Sequence, residues 1–169
     1  MNKTMNKTQF WSDLESGRFA KMVKESAPGQ KVSNSTVMYN ILKPLVVTHP
    51  DVEKIYMVFF NSQNEVLAIE VMFSGSISSA SVYPREIIKR VLNLHASAVA
   101  MAHNHPSGTV DISNEDKAIT LKVAFALDAI GVLLHEHIII GRDKYHSMAD
   151  HGEIEKINGI VKDVMDRIN

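Results

Sequence analysis

The spacing of apolar and polar residues changes character several times along the chain. Residues 10–26, FWSDLESGRFAKMVKES, carry apolar positions at helical spacing and predict a short amphipathic helix with Gly17 inside it. APGQKVSNS (27–35) reads as a loop in which Ser33 to Ser35 can cap the next helix, TVMYNILKPLVV, which Pro44 should kink or end. From Glu53 the period changes. EKIYMVFFN and EVLAIEVMFSG, separated by the polar SQN, are rich in β-branched and aromatic residues and predict a β-hairpin. YPREIIKRVLNLHA returns to helical spacing, with Pro84 near its start and Ile87, Ile88, Val91 and Leu92 on one stripe. SAVAMAH is a short buried strand, SNEDKAITLKVAFALDAIG a helix from Ser113 to a Gly131 cap, and VLLHEHIIIG another apolar strand. GEIEKINGIVKDVMDRI closes the chain as an amphipathic helix whose apolar residues serve either the core or a dimer face. Mixed helices and strands predict an α/β (α+β) domain, a mixed sheet sandwiched by helices.

A length of 169 residues suits a single domain. Its parts are a tail and short helix over 1–32, the main domain over 33–152 and the C-terminal helix over 153–169. The doubled MNKT at the start is too short for an architectural repeat and reads as a frayed tail. The absence of cysteine excludes disulfides, thiolate chemistry and Cys-ligated zinc or iron–sulfur sites. Any metal must therefore bind His, Asp, Glu or backbone oxygen. A cysteine-free chain with no apolar signal region and no spanning run fits a cytoplasmic protein without a membrane partner. A net charge of −1 argues against a domain whose main work is neutralising nucleic-acid phosphates.

Two of the eight histidines fall in AHNHPSGTVDISNEDKA, residues 102–118. At positions i and i+2 of an extended chain, His103 and His105 point the same way, toward one spot beyond a strand end. The seven residues Pro106 to Ile112, with Gly108 for a tight turn, lead to Ser113 and to Asp116 in the first turn of a helix. Two readings stand side by side. Ser113-Asn-Glu-Asp116 is a capping-box pattern, and the stretch is then a polar turn into a capped helix. Alternatively, two imidazoles, one carboxylate and a water form a four-coordinate catalytic zinc site.

The pattern H-x-H-P, seven residues on S-x-x-D, resembles the JAMM metalloprotease signature of the JAB/MPN superfamily. VYPREIIKRVLNLHASAVAMAHNHPSG and HEHIIIG narrow the resemblance to the bacterial RadC family, over roughly residues 33–150. The resemblance implies a JAB/MPN-like fold with a cytidine-deaminase-like layout and a zinc-dependent peptidase or isopeptidase acting on a peptide or protein. By position, His103, His105 and Asp116 match its zinc ligands, and Ser113 matches the serine that polarises the substrate carbonyl. The family's upstream general base matches Glu53, with Glu70 as second choice. A DNA-repair-associated accessory module without peptidase activity is the alternative. The chain lacks the paired Gly-centred hairpins of longer members, and Asn104 stands where deubiquitinating members have Ser or Thr.

Other residues carry weaker signals. His135 and His137 would share one strand face, as structural histidines or with His137 near the site. His146 and His151 read as solvent-facing, His49 before Pro50 as a turn, and Lys89-Arg90 as a solvated basic face. The contiguous HNH letters do not make an HNH nuclease, whose motif residues are dispersed.

Overall fold

The computed structural model describes residues 7–47, 51–75 and 82–168. The first six residues and the His49-Pro50 turn lie outside them. The chain runs α1 (Lys7–Glu15), α2 (Arg18–Ser26), α3 (Ser35–Val46), β1 (Lys54–Phe60), β2 (Val66–Ser74), α4 (Pro84–Leu94) and β3 (Ala98–Asn104). It continues with α5 (Asn114–Asp128), β4 (Leu133–Ile140), β5 (Tyr145–Ser147) and α6 (Glu153–Ile168). The strands form one mixed sheet in the order β2-β1-β3-β4-β5. Only β3 and β4 run parallel, joined by the α5 crossover; the other pairs are antiparallel.

Helices cover both sheet faces, so the central strands read as continuous apolar runs and not as alternating ones. On one face Ile55, Met57, Phe59, Val99 and Met101 join a core with residues of α4, α5 and α6. On the other, Tyr56, Val58, Phe60, Ala100 and Ala102 pack with Met38, Leu42 and Leu45 of α3. Ile154, Ile157 and Val161 of α6 are buried in the first core, so that stripe serves the core, while Ile160 stays outside. No helix among the described residues is long and apolar enough to cross a membrane.

Several expectations are corrected. Gly17 does not lie within a helix: its left-handed φ of 71° ends α1 and starts α2. Pro44 does not end α3. It sits in the last turn, where its missing N–H removes a single helical bond, and Val47 N still donates to Lys43 O at 3.2 Å. In α4 Ile87 and Val91 are buried but Leu92 is 59% exposed, because that helix has neighbours on one side of a narrow stripe. β5 is too short to carry a periodic signal.

A register shift opposite Val99 and Ala100 matters most for function. Leu134 pairs with Val99 and Glu136 with Ala100, leaving His135 as an extra, bulged residue. His135 and Glu136 therefore both line the α3 side, beside Phe60 and Ala100. His137 faces the opposite side, so the two histidines do not share a face.

Gly141, just after β4, supports the loop that follows His105. A Cβ there would lie 2.5 Å from the Gly108 carbonyl oxygen and 2.9 Å from Val110 Cγ1. Gly141→Ala is expected to destabilise the protein by about 3 kcal/mol, the upper part of the usual overpacking range, because backbone must move. Urea unfolding measures this; an unchanged midpoint would show that the loop yields freely.

Candidate metal centre

β3 lies at the centre of the sheet, and its C-terminal end carries the histidine pair. His103 is buried within the strand, and His105 follows its end, held by His105 N donating to Ile140 O at 3.0 Å. The expected convergence is present: His103 Nε2 and His105 Nε2 are 2.8 Å apart. Gly108, at φ 81°, turns the loop back toward the start of α5.

The capping-box reading of Ser113-x-x-Asp116 holds. Ser113 caps α5, accepting from Asp116 N at 3.0 Å, while Asp116 Oδ2 accepts from Ser113 N at 2.8 Å and Ser113 Oγ at 2.6 Å. The capping box thus fixes the buried carboxylate and leaves Oδ1 3.0 Å from His103 Nε2. Oδ2 is also 3.6 Å from His105 Nε2. The side chain that caps α5 is thus also the one that faces the two imidazoles.

Glu53 arrives from the neighbouring strand. Ile55 pairs with His103, so the residue two earlier stands at the level of His105. Glu53, His103 and His105 each bring a ligand atom to within 4.8 Å of the others. Asn104, pointing to the opposite face, holds this segment on both sides of Glu53. Its Oδ1 accepts from Lys54 N at 2.9 Å and its Nδ2 donates to Val52 O at 3.0 Å. Glu53, His105, Ser107, Asp111, Ser113 and Asp116 line an open cleft of about 450 Å³.

The site's electrostatics favour an ionised Asp116 and a neutral His137, and they favour the protonated form of His105. Burial alone would raise the Asp116 carboxyl, but the polar groups around it, His103, His105 and Ser113, outweigh it and hold it well below the usual carboxylate range. The neighbouring Asp116 raises His105, opposed by burial and aided by the charge of Glu53. Burial, then the neighbouring His103, holds the His137 ring well below the ordinary histidine value. Two imidazole nitrogens and carboxylate oxygens suit zinc. The spacings of 2.8, 3.0 and 3.6 Å bracket the roughly 3.3 Å that bonds of 2.0–2.1 Å set between tetrahedral donors.

Glu70 is not brought to this group. It lies on β2 opposite Met57 and forms a two-pronged ion pair with Arg90 of α4, Arg90 Nε donating at 2.8 Å. Arg90 is therefore part of that pair and not of a free basic face. His146 is held as well: its Nε2 lies 2.8 Å from Glu153 Oε2, and its ring stacks on His151. Sequence reasoning missed the clamp by Asn104 and the buried Thr120, whose Oγ1 lies 2.6 Å from His137 Nδ1. Thr120 is a polar residue one turn after Asp116 on the buried stripe of α5, and that misplaced polarity was a readable signal.

A sequence model of the RadC-like JAB domain family matches residues 32–153, which include every residue of this centre. UPF0758 protein YfjY of Escherichia coli (strain K12) is 44% identical over 100 residues, 59% of this chain and 62% of that protein. UPF0758 protein FN0909 of Fusobacterium nucleatum subsp. nucleatum is 39% identical over 124 residues, 73% of this chain and 53% of that protein. A UPF0758 protein of Legionella pneumophila (strain Corby) is 42% identical over 118 residues, 70% and 52% of the two chains. The chain spans about half to three-fifths of the length of these curated relatives.

Proposed function

This chain belongs to the RadC-like JAB domain family, and from that premise we propose that it is a zinc-dependent hydrolase of amide bonds, of peptidase or isopeptidase type. The observation that carries this reading is the meeting of His103, His105, Asp116 and Glu53 at one strand end, beside an open cleft. His103, His105 and Asp116 would hold the ion. Zinc, when bound, supplies a Lewis acid that polarises a carbonyl and lowers the pKa of water to about 7.

The protein's own groups do the rest. Glu53 accepts a proton from the attacking water and returns it to the leaving amine. Asn104 keeps the backbone around Glu53 in register with His105. Ser113 sits at the cleft rim, where a substrate carbonyl can lie. Its hydroxyl proton is given to Asp116 Oδ2, so it meets a developing oxyanion only by turning from that cap.

The test is hydrolysis of a pool of unstructured peptides by zinc-loaded protein, followed by mass spectrometry. Cleavage should vanish after dialysis against a chelator and return with zinc. No cleavage by protein carrying one zinc per chain would sink the hydrolase reading and favour an accessory module.

A further inference from the structure

We infer that Thr120 and His137 are positioning residues that fix the tautomer of His103, so that its Nε2 presents a bare lone pair to the site. The inference rests on the reading that this site binds zinc. It starts from the buried Thr120 hydroxyl, whose Oγ1 lies against the backbone carbonyl of Asp116 one turn earlier. Two oxygens in such close contact need a proton between them, and the carbonyl has none to give. Thr120 therefore donates to Asp116 O.

With that proton committed, Oγ1 can only accept from His137 Nδ1, 2.6 Å away. A neutral His137 then has a bare Nε2, which accepts from His103 Nδ1 at 2.8 Å. His103 carries its proton on Nδ1. Its bare Nε2 faces Asp116 Oδ1 at 3.0 Å and His105 Nε2 at 2.8 Å. A bare Nε2 beside the Asp116 carboxylate is placed to take a cation. This is the arrangement by which partners behind a ligand histidine set its tautomer and orientation.

The HEH triplet now has a division of labour. Ordinary alternation from Leu134 would place Glu136 under His103 and send His137 to the α3 side. The bulge at His135 reverses this and seats His137 behind the ligand. Glu136 pins the bulge: its carboxylate accepts from His137 N at 2.8 Å, Ala149 N at 2.9 Å and Ser147 Oγ.

Three variants test the chain: Thr120→Val, nearly isosteric, His137→Leu, and His137→Gln, which keeps an acceptor and a donor. Each is shown folded by circular dichroism and metal-free melting. Zinc is titrated in competition with a chromogenic chelator, and long-range ¹H–¹⁵N NMR reads the His103 ring in chelator-treated wild type. The expected result is a proton on His103 Nδ1, zinc affinity about 10–100-fold weaker in Thr120→Val and His137→Leu, and recovery in His137→Gln. Wild-type affinity in the first two variants, or a proton on His103 Nε2, would overturn the inference while leaving the zinc site intact. If wild type binds no zinc, the hydrolase reading fails, and the metal-free His103 tautomer still decides this one.

Discussion

His105→Ala is expected to strip zinc from a protein that otherwise carries about one ion per chain. In the proposed site the two imidazoles and Asp116 would supply three of the four positions of a tetrahedral centre. Structural zinc binding is worth about 10–16 kcal/mol, so one ligand carries roughly 3 kcal/mol, or at least a hundredfold in affinity. Plasma mass spectrometry of both proteins, purified without chelators, reads this directly. Melting gives a second measure, since free zinc at a hundred times its dissociation constant adds about 2.7 kcal/mol to the stability of the wild type. The alanine variant should show neither the ion nor the zinc-dependent shift. Equal metal in both proteins would remove His105 from the ligand set, and metal in neither after zinc is added would return the stretch to a capped turn.

The same groups give stability a different pH dependence with and without the ion. In metal-free protein the neighbouring Asp116 raises His105, so its contribution is complete below about pH 6.5 and is lost as pH rises through the raised value. Asp116 is depressed, so its contribution is present above about pH 4 and is lost as pH falls. Burial holds His137 and His135 below the ordinary histidine value, so their contributions run the other way, present above about pH 6.5 and lost as pH falls, and they offset that of His105 between pH 6 and pH 8. Zinc competes with protons for the same nitrogens, so the stabilisation it adds should grow over that rise in pH. Urea unfolding at pH 6 and pH 8, with and without zinc, separates the two slopes.

Much of this was legible because local signals agreed with the tertiary result. The hairpin, the α5 cap and the aim of His103 and His105 all follow from alternation, capping chemistry and strand geometry acting over a few residues. What stayed hidden depends on breaks in periodicity or on contacts between distant elements. The bulge at His135 is invisible to a period-two reading, which puts His135 and His137 together when the fold parts them. In the sequence Asn104 stands out only by contrast with the Ser or Thr of deubiquitinating members, yet its amide holds the segment that carries Glu53, about fifty residues away in the chain. The choice between Glu53 and Glu70 needed the pairing of β1 with β3 and the partner that Arg90 provides.

That choice leads to the largest effect on rate. Glu53→Gln should lower peptide hydrolysis by about 10²–10⁴-fold, the usual contribution of a positioned general base, while zinc content and folding stay at wild-type levels. Glutamine keeps the size of the side chain, so the cleft and the Asn104 clamp remain. It lacks only the capacity to take the proton from water and hand it on. The loss should therefore fall on kcat, with little change in KM. Glu70→Gln is the matched control. It breaks a partly exposed ion pair with Arg90 worth at most about 1 kcal/mol, and the rate should not change. A Glu53→Gln protein that hydrolyses at the wild-type rate would remove Glu53 from the chemistry. If the loss instead followed Glu70→Gln, the base would have to come from β2, against the ion pair that holds it away from the histidines.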